Sequence, residues 1–156
     1  MPQGLNGGLN KCIYMSLYFE VKVTYDKTME NGMVKKVTEP YLFDALSFTE
    51  AESRAIEELT PFISGDFTVR ACKRTPIAEI FNLGADRYYL VKVAFVRLDE
   101  KTGVEKRTIS QIVVGATDFD DALQIFKEGM EGTLADYEIV SLSETQIIEV
   151  YPAKLS

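Results

Sequence analysis

Tyr18 and Lys22 stand in the stretch YFEVKV, and Tyr88 and Lys92 take the same places in YYLVKV. Alternate residues of a strand share a face, so each stretch presents a ring and an ammonium together. Single-stranded nucleic acid is bound by that combination. Bases stack on rings at roughly 1–3 kcal/mol each, and cations follow the phosphates. Lys35, Lys36, Lys106 and Arg107 can join from neighbouring strands, as can Arg70 or Arg74. The expected site is therefore a Tyr/Lys face that meets single-stranded DNA or RNA. Two other readings use the same residues. Tyr and Lys on a strand form cross-strand pairs that cover an exposed sheet face. Tyrosines on an open sheet also invite burial by a second copy of the chain or by another protein.

Catalysis finds less to work with. Glu20-Val21-Lys22 has the order of half a restriction-type nuclease site, in which carboxylates hold Mg²⁺ and the lysine steadies the attacking water. The other half, an aspartate on an earlier strand, has no candidate, and the second copy carries Leu90 in place of Glu20. Glu39 and Asp44 are near enough in sequence to share a metal, but Gly115 stands where the second copy would repeat Asp44. Turn and edge-strand solvation accounts for both acids. There is no histidine, which removes imidazole acid–base catalysis, Ser-His and Cys-His nucleophile pairs and His-containing metal sites. No glycine-rich phosphate loop, GxSxG or HExxH occurs. Cys12 and Cys72 form neither a CxxC pair nor a disulfide framework. The reading is a binding protein, not an enzyme, with no metal and no cofactor.

The chain has 156 residues, 46% hydrophobic and 26% charged, with a formal net charge of −7. That is the composition of one ordinary globular domain, and its charge opposes indiscriminate duplex binding unless cations cluster locally. No window approaches the ~18 apolar residues that span a bilayer. The start, MPQGLNGGLNKCIYM, lacks the basic head and apolar run of a signal peptide. A cytoplasmic protein without membrane contact is expected.

The elements that must position the Tyr/Lys face come in two copies. At a spacing of seventy residues Tyr18, Val21, Lys22 and Val23 match Tyr88, Val91, Lys92 and Val93. At seventy-one, Lys35-Lys36 matches Lys106-Arg107, and Ala45, Phe48 and Ala51 match Ala116, Phe119 and Ala122. Back at seventy, Phe67, Ile77, Glu79 and Phe81 meet Tyr137, Ile147, Glu149 and Tyr151. LYFEVKVTY alternates with the period of a half-buried strand. A turn follows, then VKKVTEPYLFDAL, a long strand interrupted near Pro40, which prefers an edge or a bulge. Ser47 with Glu50, and Asp118 with Asp121, have the spacing of a capping box at a helix start. Ala51, Ala55, Ile56 and Leu59 give one helix its apolar stripe before Pro61; Ala122, Ile125, Phe126 and Met130 give the other its stripe before Gly132. Two shorter strands close each copy.

The unit is thus ββαββ, twice: an α+β fold of one composite domain, residues 15–156, made of pseudo-repeats 15–84 and 85–156. Residues 1–14 read as a disordered extension, with Met15 as an alternative start. NLGADR, residues 82–87, is short enough to join the halves through a hairpin. The inner strand faces are expected to build one shared core and the outer faces to offer the two matching Tyr/Lys platforms.

YFEVKV, KKVTEPYLFDALSFTEAESRAIEEL, ISGDFTV and GTLADYEIV resemble a family described as a domain of unknown function, carried by gut bacteria, their mobile elements and their phages. The resemblance runs over roughly residues 15 to 152, and TEPYLFDALSFTEAE is its most specific stretch. It brings no catalytic residues. It implies an intracellular protein encoded on phage or mobile DNA. The first fourteen residues depart from the family pattern.

Overall fold

The structure is a computed structural model and describes residues 17–153. The expected extension and the alternative start at Met15 lie outside the described residues. The element order is β1 (Tyr18–Thr28), β2 (Val34–Asp44), α1 (Phe48–Leu59), β3 (Phe67–Arg74) and β4 (Ile77–Phe81), then β5 (Arg87–Leu98), β6 (Glu105–Ala116), α2 (Phe119–Gly129), β7 (Asp136–Glu144) and β8 (Val150–Tyr151). The ββαββ unit therefore occurs twice, in an α+β fold of two similar units.

Local chemistry sets the helix starts. Ser47 Oγ accepts from the Glu50 N–H at 3.1 Å, and Glu50 Oε2 accepts from the Leu46 N–H at 3.2 Å. Asp118 Oδ1 and Asp121 Oδ2 do the same for the Asp121 and Thr117 N–H groups, at 2.8 and 3.0 Å. Orphan N–H groups of each first turn are thus satisfied from both directions, one residue wider than the simplest capping box. Behind the caps, Ala51, Ala55 and Leu59 bury one face of α1, and Ala122 and Phe126 bury one face of α2.

The strand exchange is the feature that local patterns leave open. One sheet has the order β3-β1-β2-β8 and the other β4-β6-β5-β7. Each unit keeps its first three strands and lends its fourth to the other unit. There, β4 lies parallel to β6 with Phe81 beside Val114, and β8 lies parallel to β2 with Tyr151 beside Phe43. The link over residues 82–87 is consequently not a hairpin, because β6 stands between β4 and β5. Parallel neighbours need a crossover, and β6 has already taken β5 as its antiparallel partner. β2 also runs unbroken through Pro40. The segment leading into β8 lies beside it, with the Ile148 N–H donating to the Pro40 carbonyl at 2.9 Å, so the proline sits just ahead of the short ladder of Leu42 and Phe43 and keeps its acceptor in use.

Three apolar clusters result, where one shared core was expected from the inner faces. Phe19, Val21 and Val23 pack with Tyr41 and Phe43 under α1. Tyr89, Val91 and Val93 pack with Ile112 and Val114 under α2. The shared cluster instead joins the faces turned away from the helices: Leu42, Ile77, Tyr88, Val113, Ile147 and Val150, with Tyr18, Ile80 and Leu90 against them. Full burial of such side chains contributes about 1.5–3 kcal/mol each. The exchanged strands bind the units further, since Phe81 packs against Phe126 and Tyr151 stacks on Phe43 at 4.7 Å between ring centres.

Candidate binding cleft between the two sheets

The face that carries Tyr18, Glu20 and Lys22 is therefore an inside corner and not an open platform. Thr75 and Thr145, which follow β3 and β7, hold that corner in equivalent ways. Thr75 donates its N–H and its hydroxyl to the Tyr18 carbonyl at 2.9 and 2.7 Å, and Thr145 does so to the Tyr88 carbonyl at 2.9 and 2.7 Å. Each threonine turns its chain out of one sheet toward the other. Pro76-Ile77 and Gln146-Ile147 follow, and both isoleucines are buried in the shared cluster.

Between these corners lies a cleft of about 450 Å³. Leu90 and Pro76 give it apolar surface over the fully buried Leu42 and Val113, with Gln111 and Gln146 offering amides. Among the described residues, Lys22, Lys73 and Arg74 bring three cations to it, against one acid, Glu20. Glu20 Oε1 is 3.7 Å from Lys73 Nζ and 4.0 Å from Lys22 Nζ. Both lysines are largely solvated, so such pairs are worth about 1 kcal/mol or less and leave the cations available to a ligand.

The expected site residues divide. Tyr88 is 0% exposed. Its hydroxyl donates to Glu149 Oε1 at 2.8 Å and accepts from the Gly84 N–H at 3.0 Å. Burial, then the bond to Glu149, pushes that hydroxyl up to about 12. Its ring has no surface left for a base, which corrects the expected second platform. Tyr18 is half-buried against the shared cluster. Lys22 and Lys92 are exposed, and Lys22 alone of the two lines the cleft.

Register separates the remaining four. Lys36 lies opposite Asp26 and Arg107 opposite Val96, on the same faces as Lys22 and Lys92. Lys35 lies opposite Lys27 and Lys106 opposite Arg97, on the helix-side faces. Arg107 is paired with Glu138 at 2.9 Å and Lys106 with Asp99 at 3.4 Å. The eight residues are thus not one constellation.

The acids considered for metal chemistry are otherwise engaged. Glu39 accepts from the Tyr25 hydroxyl at 2.7 Å and lies 3.5 Å from Lys27 Nζ. Among the described residues no group of three or more His, Cys, Asp or Glu side chains is placed to hold a metal ion. No helix among them is long and apolar enough to cross a membrane. Sequence reasoning missed Lys73, Gln111 and the two threonines. The usable signal is Thr-x-Ile at 75–77 and again at 145–147, two residues before the match of Ile77 with Ile147 begins.

A family model described as a domain of unknown function, DUF4494, matches residues 17–153. The chain belongs to that family. The match spans both ββαββ units and both exchanged strands, so the cleft lies wholly within the DUF4494 domain. No curated protein and no solved structure matches the chain.

Proposed function

We propose that this DUF4494 protein is a non-catalytic binding module that takes an acidic, extended segment of another protein into the cleft between its sheets. The observation that supports this reading is the lining: three cations and one acid around an apolar wall, in a chain of net charge −7. A segment alternating apolar and acidic residues would set the first against Leu90 and Pro76 and the second against Lys22, Lys73 and Arg74. Gln111 and Gln146 can meet its backbone. The resemblance of TEPYLFDALSFTEAE to sequences of gut bacteria and their phages supports a cytoplasmic setting, with phage or mobile DNA as the gene's context.

Single-stranded nucleic acid is the second reading. Lys22, Lys36, Lys92 and Arg107 support it, since all four lie on strand faces turned away from the helices. Against it, no aromatic ring among the described residues lines the cleft, and stacking supplies much of the affinity for unpaired bases.

Fluorescence anisotropy separates the two with one labelled octapeptide of alternating leucine and aspartate and one labelled oligonucleotide of about 20 nucleotides. The expected result is micromolar peptide binding that weakens with salt and falls roughly tenfold in Lys73→Ala, a loss of about 1.4 kcal/mol. Oligonucleotide binding with a silent peptide would install the second reading. Silence from both would discard the cleft as a site.

A further inference from the structure

β3 and β7 are equivalent strands, each at the edge of its own sheet, yet their charges are opposite. β3, FTVRACKR, carries Arg70, Lys73 and Arg74 and no acid. β7, DYEIVSLSE, carries Asp136, Glu138 and Glu144 and no cation. Each is bulged at the same place: the pairing of β1 with β3 skips Arg70, and the pairing of β5 with β7 skips Val140. Bulges and charges are the usual guards of an edge strand, because an unguarded row of N–H and C=O groups pairs with other chains. Here the guard is selective. A basic edge repels a second basic edge and an acidic edge repels a second acidic one, but each attracts the other. β7 is also the stickier of the two, with Val140 51% and Ile139 37% exposed, where β3 has the charged Arg70 at the equivalent bulge.

We infer that the β3 edge of one molecule docks on the β7 edge of a second copy, giving a head-to-tail assembly. The two edges belong to different sheets, so strand pairing inside one chain does not use them up. A heterologous contact of this kind leaves one β3 edge and one β7 edge open on every dimer, and it propagates into rings or filaments. Lys73 and Arg74 of the basic edge also line the cleft, but Arg70 and Val140, which the test changes, lie outside that lining, so failure of this inference and failure of the cleft reading are distinguishable.

Sedimentation velocity on the full chain tests it. At low salt, species larger than a monomer should grow in as protein concentration rises toward about 1 mM. They should fade when ionic strength reaches about 0.5 M. Arg70→Glu spoils the basic edge and Val140→Arg gives the acidic edge the guard that β3 has, so each variant alone should sediment as a monomer. Each keeps one competent edge, so an equimolar mixture should form dimers and nothing larger. Glu144→Lys is a second β7 variant should Val140→Arg fold poorly, with circular dichroism checking every variant. Wild-type protein that stays monomeric throughout overturns the inference. So does an Arg70→Glu variant that self-associates as the wild type does, the mark of β7 meeting β7, or a mixture that stays monomeric.

Discussion

The two ββαββ units share their strand register and helix caps but differ in what fills the space under the helix. In the first, hydroxyl-bearing rings crowd around Glu39: the Tyr25 hydroxyl donates to it at 2.7 Å and the Tyr41 hydroxyl at 3.4 Å, with Tyr151 stacked on Phe43. In the second, the equivalent places hold Phe95, Ile112 and Phe81, and Ser110 replaces Glu39. The strand ends are closed differently as well. Arg54 donates to the Asp44 carbonyl at 2.7 Å and the Pro152 carbonyl at 3.0 Å in the first unit. In the second, Ile125 takes the place of Arg54 and Asn82 donates to the Gly115 carbonyl at 2.8 Å. A side chain at Gly115 would run into the Asn82 carbonyl oxygen, which is why Asp44 has no counterpart there. One backbone can be closed by hydrocarbon or by hydrogen bonds of about 1 kcal/mol each, and the polar closure is incomplete here, because Arg54 Nε is buried without a hydrogen-bond partner.

The sharpest break in the comparison lies at its most similar residues. Tyr88→Ala should cost about 3–5 kcal/mol, because it empties a fully buried site. Tyr18→Ala, at a half-buried ring, should cost about 2 kcal/mol or less. Urea unfolding midpoints measure both, and equal losses would mean that the two strands are interchangeable after all.

Alkaline pH should test the ring cluster of the first unit next. Burial, followed by the bond to Glu39, pushes Tyr25 up to about 12, and burial first of all raises Tyr41 and Tyr151 too. In the unfolded chain these hydroxyls lose their protons near pH 10. The folded state holds them longer, so their contribution is complete below about pH 10 and drains away as the pH climbs toward 12. Fluorine NMR of fluorophenylalanine-labelled protein should therefore show the signal of Phe43, which stacks on Tyr151, steady to about pH 10 and disturbed as the pH climbs toward 12. A Phe43 signal that moves well below pH 10, or does not move by about pH 12, would sink the claim that this ring cluster holds its protons longer than the unfolded chain.

The smallest effect should show equality. Ser47→Ala and Asp118→Ala each remove one N-cap acceptor and should each lower stability by about 1 kcal/mol. Thermal melts of the two variants that differ widely would show that the helices do not carry equivalent loads.

Much of this was legible in the residues. Ser47 and Asp118 announced both helix starts, the alternation Phe19, Val21, Val23 announced a half-buried strand, and the seventy-residue echo announced the duplication. The site was far less legible. Tyr18-x-x-x-Lys22 and Tyr88-x-x-x-Lys92 are the same pattern, yet Tyr88 is sealed inside while Lys22 reaches a cleft that Lys92 does not line. Charge spacing could not separate Lys36 from Lys35 either, until the hairpin register put them on opposite faces.

What the sequence determined by itself was everything carried by neighbours a few residues apart: the strands, the caps, the two helical stripes and the repeated unit. Those depend on backbone geometry with periods of two and 3.6 residues, and the chain cannot hide them. What the tertiary structure decided was the destination of β4 and β8, and with it which face became core. An alternating strand states that its two sides differ, but not what will cover each of them. Here the non-helical sides cover one another, because the fourth strand of each unit crosses to the other sheet and draws the faces of Tyr18 and Tyr88 together.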